Sequence, residues 1–162
     1  RHRGRPPNAL VGVGFAAQGW DERARGYRRR QSSYDPAHAW VFEGVDSDVV
    51  GDAGRVMGGA AGDELDRCDV ALGSPPEAVV LASSNGHSAY YQPATEDVPM
   101  IVAGIDGASN PDVRADMTLL ELPDGGAVFS AGSICWLGAL AHDDGDNDIA
   151  RITWNVLTAF RR

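Results

Sequence analysis

The chain contains no lysine: all 14 of its basic residues are arginine, set against 23 acidic residues in a length of 162. That absence excludes a phosphate-gripping loop lysine and a Schiff-base lysine for a pyridoxal cofactor. The net charge of −9 repels phosphate backbones and anionic membranes, so neither nucleic acid nor a membrane surface is an expected partner. Cysteine is scarce. Cys68 and Cys135 are far apart in apolar surroundings and form no paired ligand motif, a usage that suits a reducing compartment. No apolar run approaches the ~20 residues needed to span a bilayer, and Arg1 to Asn8 lacks the apolar segment of a signal peptide. The expected location is cytoplasmic. With 43% apolar and 23% charged residues, the composition is that of a globular protein, and the length fits one domain.

Charge is unevenly placed. Residues 1 to 30 hold eight arginines against only Asp21 and Glu22, which reads either as a solvated arm and loop or as a segment docked on an acidic surface of its own fold. The absence of an initiator methionine, directly before the apolar stretch Ala9 to Phe15, points to a fragment or a processed chain.

Several short elements are expected. Ala9 to Phe15 is a glycine-interrupted strand candidate, and Ala39 to Val45 is a second, with bulky apolar residues ahead of Gly44. Val49 to Gly62 is glycine-rich and able to approach a ligand closely, and Asp63 to Arg67 follows it as a short helical pattern. Ala78 to Ala82 reads as a buried strand opening into the polar loop Ser83-Ser84-Asn85-Gly86, and Met100 to Ile105 as a further strand. Thr118 to Leu122 and Ala127 to Ala131 flank Pro123-Asp124-Gly125-Gly126, a hairpin turn composition. Ile134 to Ala141 reads as a short helix or buried turn. Ile149, Ile152, Val156 and Phe160 form the stripe of a final helix, capped by Asp146 or Asn147. Short buried strands, a closing helix and polar loops predict an α/β sheet with its site at the carboxyl edge.

Candidate chemistry is sparse. Gly12, Gly14 and Gly19 do not make a dinucleotide fingerprint, because the third glycine comes too late and Glu43 lies too far on. The acidic run Asp143 to Asp148 lacks the closing glutamate of a calcium loop and suits helix capping instead. Cys135 follows a Gly-Ser turn but has apolar neighbours, as a buried structural thiol would. His87 sits in a strand-end loop where an imidazole can shuttle a proton or simply bond to backbone. Glu64, beside Asp63 and Asp66, is a candidate general base among like charges; its plainer role is an exposed pair with Arg67.

Taken in order, Ala115-Asp116-Met117-Thr118, Pro123 to Ser130, Gly132-Ser133-Ile134-Cys135-Trp136, His142 with Asp146-Asn147, and Arg151 to Leu157 resemble the carboxyl-terminal region of the large (beta) subunit of N,N-dimethylformamidase and its relatives. The likeness extends upstream through Val11 to Phe15, Ala39 to Gly44, Gly58 to Gly62 with Glu64-Leu65-Asp66-Arg67, and Leu81 to Ser84. The resemblance implies a layered α/β sheet like that of class I glutamine amidotransferases, of which this chain would be the C-terminal portion. It implies an amidohydrolase that splits small formamides using a mononuclear iron held by two tyrosines and a glutamate, with the ligands outside this chain. Within it Glu64 would be the general base, His87 the second choice, and Asn85 a group that orients the amide. Expected partners are the missing N-terminal part of the domain or a second chain, in an oligomer. The competing reading is a non-catalytic amidotransferase-like module that completes another chain. A functional site should gather Glu64 and His87 around one pocket; a module should leave them apart.

Overall fold

A computed structural model describes residues 4–21, 23–94 and 102–161. Two antiparallel sheets and three helices share one apolar core. The first helix is α1 (Asn8–Val11), followed by β1 (Gly14–Gly19) and β2 (Tyr27–Arg29); 3-10 turns then occupy Gln31–Tyr34 and Ala39–Phe42. Next come β3 (Val49–Val50), β4 (Asp63–Arg67), β5 (Val79–Ser83), β6 (Gln92–Pro93), β7 (Asp116–Glu121), β8 (Ala127–Ser130), α2 (Cys135–Leu140) and α3 (Asp148–Phe160). One sheet has the order β4-β1-β6 and the other β3-β2-β5-β7-β8. Every pairing among the described residues is antiparallel. The described residues are therefore α+β, which corrects the expected α/β sheet with a carboxyl-edge site. The connections between paired strands are hairpins and loops in place of the helical crossovers that parallel pairing requires.

The expected strand Ala78 to Ala82 is β5, with Leu81 and Ala82 fully buried. The hairpin is β7–β8, pairing Thr118 with Ser130 and Glu121 with Ala127. Its turn needs two residues at positive φ, which Gly125 (φ 89°) and Gly126 (φ 86°) supply without a Cβ clash. Helix α2 matches Ile134 to Ala141, and α3 buries Ile149, Ile152 and Val156 against Val41, Phe42, Trp136 and Leu81 in the core.

Asn147 caps α3 through its side-chain oxygen, which accepts from the Ala150 N–H at 3.0 Å, while its amide donates to the carbonyls of His142 and Leu140. Asn147→Ala is expected to lower stability by about 1 kcal/mol in urea unfolding, the usual cost of a lost cap. Helical content should be little changed.

Three local expectations fail for identifiable reasons. Residues 8–11 form a helical turn, because Pro6 and Pro7 preset its first φ angles and Gly12, at φ 81°, ends it; the strand begins only at Gly14. Ala39 to Val45 coils as a 3-10 turn, buries Val41 and Phe42, and gives its Val41 and Glu43 carbonyls to the Asn155 amide of α3. Asp63 to Arg67 is a strand in place of a helix: β4 pairs with β1 from Gly14↔Arg67 to Gly19↔Asp63 and buries Leu65 alone. Of the expected strand Met100 to Ile105, residues 100 and 101 lie outside the described residues, and residues 102–105 form turn and coil. No helix of the described residues is long and apolar enough to cross a membrane.

Candidate functional site

The loop that leaves β5 carries two of the three candidate residues. Ser84, fully buried, is locked to the segment before β7: its N–H donates to the Ala115 carbonyl at 2.9 Å and its hydroxyl accepts from the Ala115 N–H at 2.8 Å. The same hydroxyl lies 2.8 Å from His87 Nε2. His87 is buried, its Nδ1 has no partner among the described residues, and its ring leans on Tyr91 with centroids 4.6 Å apart. Burial, reinforced by the nearby Arg25 charge and opposed by Asp21, pulls the His87 pKa down from 6.5 to about 4. The imidazole is neutral at pH 7 and a weak base.

This depression links folding to pH. Unfolded histidine takes a proton near 6.5, whereas folded His87 resists until about pH 4. Between those values the unfolded state binds the extra proton, so stability present above pH 6.5 is lost as pH falls toward 4, by about 3 kcal/mol at most. His87→Phe, which keeps a ring against Tyr91 and cannot titrate, is expected to flatten this part of the curve. Urea unfolding at pH 7, 5.5 and 4.5 measures it; a slope identical to that of the unsubstituted protein would contradict the assignment.

Tyr91 connects this loop to β4. Its hydroxyl accepts from the Asp63 N–H at 3.2 Å, and Asp63 stands at φ 56°, an uncommon conformation for a residue with a Cβ. Glu64 follows directly and is solvent-exposed on β4, opposite Gln18 of β1. The alternative role of Glu64, an ion pair with Arg67, is overturned: Arg67 pairs with Asp69 at 2.9 Å and approaches Asp112 at 3.9 Å. The glycine-rich loop ahead of β4 uses its closeness within the fold. A Cβ on Gly62 would meet the Ala24 Cβ at 2.7 Å and the Tyr91 hydroxyl at 3.1 Å, and the Gly62 backbone exchanges two hydrogen bonds with Ser133.

Asn85 is exposed and lines a cavity of about 670 Å³ together with Ser83, Ser84, Arg28, Arg30 and Arg114. Neither Glu64 nor His87 lines that cavity. The three candidates are thus not gathered around one pocket; the His87 ring lies against Tyr91, whose hydroxyl accepts from the Asp63 N–H next to Glu64, and Asn85 faces a separate space. Cys135 is buried at the start of α2 and its thiol is pushed up by burial, as a structural thiol would be.

Sequence reasoning missed Tyr91, Ser84 and Asp116. Asp116 is fully buried and accepts from the Ser83 hydroxyl at 2.5 Å, the Cys68 N–H at 3.0 Å and Arg114 Nε at 3.1 Å. The signal available was an acidic residue opening an apolar strand, which requires a buried partner.

The iron set implied by the resemblance does not fit the described residues. Tyr27 donates to the Ala60 carbonyl and Tyr91 accepts from Asp63, and burial pushes Tyr27 well above its usual range and Tyr91 to about 12. Phenolate, the form that binds iron, is disfavoured at both. Tyr34 spends its hydroxyl on Asp48, and Tyr90 is exposed. No group of three or more His, Cys, Asp or Glu side chains among the described residues is placed to hold a metal.

Comparison with known proteins agrees with the resemblance. Residues 1–148 match the family described as N,N-dimethylformamidase beta subunit-like, C-terminal. The N,N-dimethylformamidase beta subunit of Paracoccus aminophilus is 40% identical over 163 aligned residues, covering 100% of this chain. That of an Alcaligenes species is 40% identical over 161 residues, covering 99%. The chain spans 21% of the length of each of these relatives. With most of its length matched, the chain belongs to the N,N-dimethylformamidase beta subunit-like C-terminal family.

Proposed function

We propose that the chain is part of an amidohydrolase that cleaves the C–N bond of small amides such as N,N-dimethylformamide. The observation that supports this reading is the family match over residues 1–148, joined to 40% identity with two dimethylformamidase beta subunits. The reading includes a layered domain like that of class I glutamine amidotransferases, of which these residues form a portion, and an assembly with further polypeptide. Iron, if the reading holds, is bound outside the described residues; it would supply polarisation of the amide and of the attacking water.

The part assigned to this chain is proton handling. Water attacks the amide carbon and gives up a proton; the carboxylate of Glu64 accepts it and returns it to the departing amine, leaving formate and dimethylamine. Glu64 suits this because its side chain is exposed and its carboxylate has no hydrogen bond or ion pair among the described residues. His87 acts as a positioning residue, holding the Tyr91 ring whose hydroxyl fixes the Asp63 backbone beside Glu64. Asn85 offers an amide to orient substrate.

A second reading, a non-catalytic module that completes another chain, is favoured by one observation: Glu64, His87 and Asn85 do not share a pocket. A chimera separates the two. Replacing the aligned stretch of the Paracoccus aminophilus subunit with this chain is expected to retain formate release from N,N-dimethylformamide, and Glu64→Gln in that chimera to remove most of it. A folded chimera indifferent to Glu64 would support the module.

A further inference from the structure

The cavity beside β5 is rich in one kind of charge. Four arginines, Arg28, Arg29, Arg30 and Arg114, line it, and no acidic residue does. Two of the four are committed elsewhere. Arg29 donates to the Ser33 hydroxyl and the Val45 carbonyl and lies over the rings of Tyr34 and Phe42, 4.1 and 4.3 Å from their centroids. Arg114 is held by Asp112 at 3.0 Å and Asp116 at 3.1 Å. The other two have no acidic partner among the described residues. Arg30 Nε donates to the Ser83 hydroxyl at 3.1 Å and its side chain makes no ion pair among the described residues; Arg28, paired through its backbone with Val49 and Ser83, has an exposed side chain with no hydrogen bond or ion pair among them. In a protein of net charge −9, two exposed guanidinium groups that line one cavity and have no acidic partner among the described residues offer an anion site.

The remaining lining sets the class of anion. Ser109, Asn110 and Asn85 add neutral polar groups, and Ala108, Pro111 and Val113 add an apolar wall. Among the described residues only the four-residue 3-10 turn Gln31–Tyr34 starts at this cavity, capped by Arg30, and no α-helix does, so the longer N-terminal N–H array typical of phosphate sites is absent there. A planar guanidinium fork matches a carboxylate, and the protein's overall negative field penalises a dianion more than a monoanion. We propose that this cavity binds a short-chain carboxylate, its two oxygens held by Arg28 and Arg30 and its alkyl end set against Pro111 and Val113. The proposal stands on the lining alone and is independent of the hydrolase reading, because Glu64 and His87 take no part in it.

Calorimetric titration of the protein with sodium acetate, propionate and inorganic phosphate at constant ionic strength tests it. Saturable binding of propionate, tighter than phosphate, is expected, and Arg28→Gln with Arg30→Gln should weaken it about tenfold or more. Arg55→Gln, which removes an exposed pair with Asp144 away from the cavity, should leave it unchanged. Arg28→Gln alone carries the test if the double variant fails to fold, since Arg28 holds nothing else in place. No saturable heat with either acid, phosphate binding more tightly than propionate, or an equal loss in Arg55→Gln would each overturn the proposal.

Discussion

On the proposed amidohydrolase function, Glu64→Gln in the full polypeptide that carries this chain is expected to lower turnover on N,N-dimethylformamide by about 10² to 10⁴, the usual contribution of a positioned carboxylate base. Bound metal should be unchanged, because the described residues offer no ligand set that includes Glu64. The substitution keeps the side chain's shape and removes its basicity. Its effect on folding should be small: Glu64 is exposed, and its former candidate partner Arg67 is taken by Asp69 and Asp112. A carboxylate that holds nothing in place and follows a residue at φ 56° is free to serve chemistry. Steady-state formate release with metal analysis on the same sample reads the result. Loss of metal would make Glu64 a ligand, and full turnover would make it a bystander.

Asp116→Ala should cost about 3 kcal/mol or more in urea unfolding, because it removes one member of a buried charge pair and leaves the other behind. Asp116 is fully buried, and its carboxylate receives the Ser83 hydroxyl, the Cys68 N–H and the Arg114 guanidinium. The attraction runs both ways: Asp116 raises the Arg114 pKa against the opposing effect of burial. Without the carboxylate, Arg114 faces a partly desolvated site with Asp112 and the Pro111 carbonyl to meet it among the described residues, and the Cys68 N–H loses its acceptor. The double variant Asp116→Leu, Arg114→Leu should recover part of the loss, since replacing both partners removes the orphaned charge. A loss below about 1 kcal/mol for Asp116→Ala would show that water compensates the network.

The elements legible in the sequence are those whose signal is local. Helix α3 carries its stripe of Ile149, Ile152 and Val156 and its Asn147 cap within its own residues, and the β7–β8 hairpin carries its turn in two glycines. Where the outcome depended on distant chain, the local signal misled. Asp63 to Arg67 has helix-compatible charges, yet β1 lies alongside and its backbone pairs across the sheet. Trp40, Val41 and Phe42 look like strand residues, yet Asn155 captures the carbonyls of this segment. The same holds for the site. Glu64 and His87 stood out by type and neighbours, but the contacts of Tyr91 with His87 and with the Asp63 backbone, and the Ser84 lock to Ala115, exist only in the folded chain. Arg28, Arg29 and Arg30 read as one basic run, although the fold commits Arg29 to stacking and leaves its two neighbours without ion pairs among the described residues.

The most direct measurement is the stoichiometry of products when the full polypeptide carrying this chain is incubated with N,N-dimethylformamide. Equal amounts of formate and dimethylamine, formed catalytically and reduced at least a hundredfold by Glu64→Gln, are expected. A folded, metal-loaded protein that releases neither product, or releases both undiminished in the Glu64→Gln variant, would contradict the role assigned to this chain.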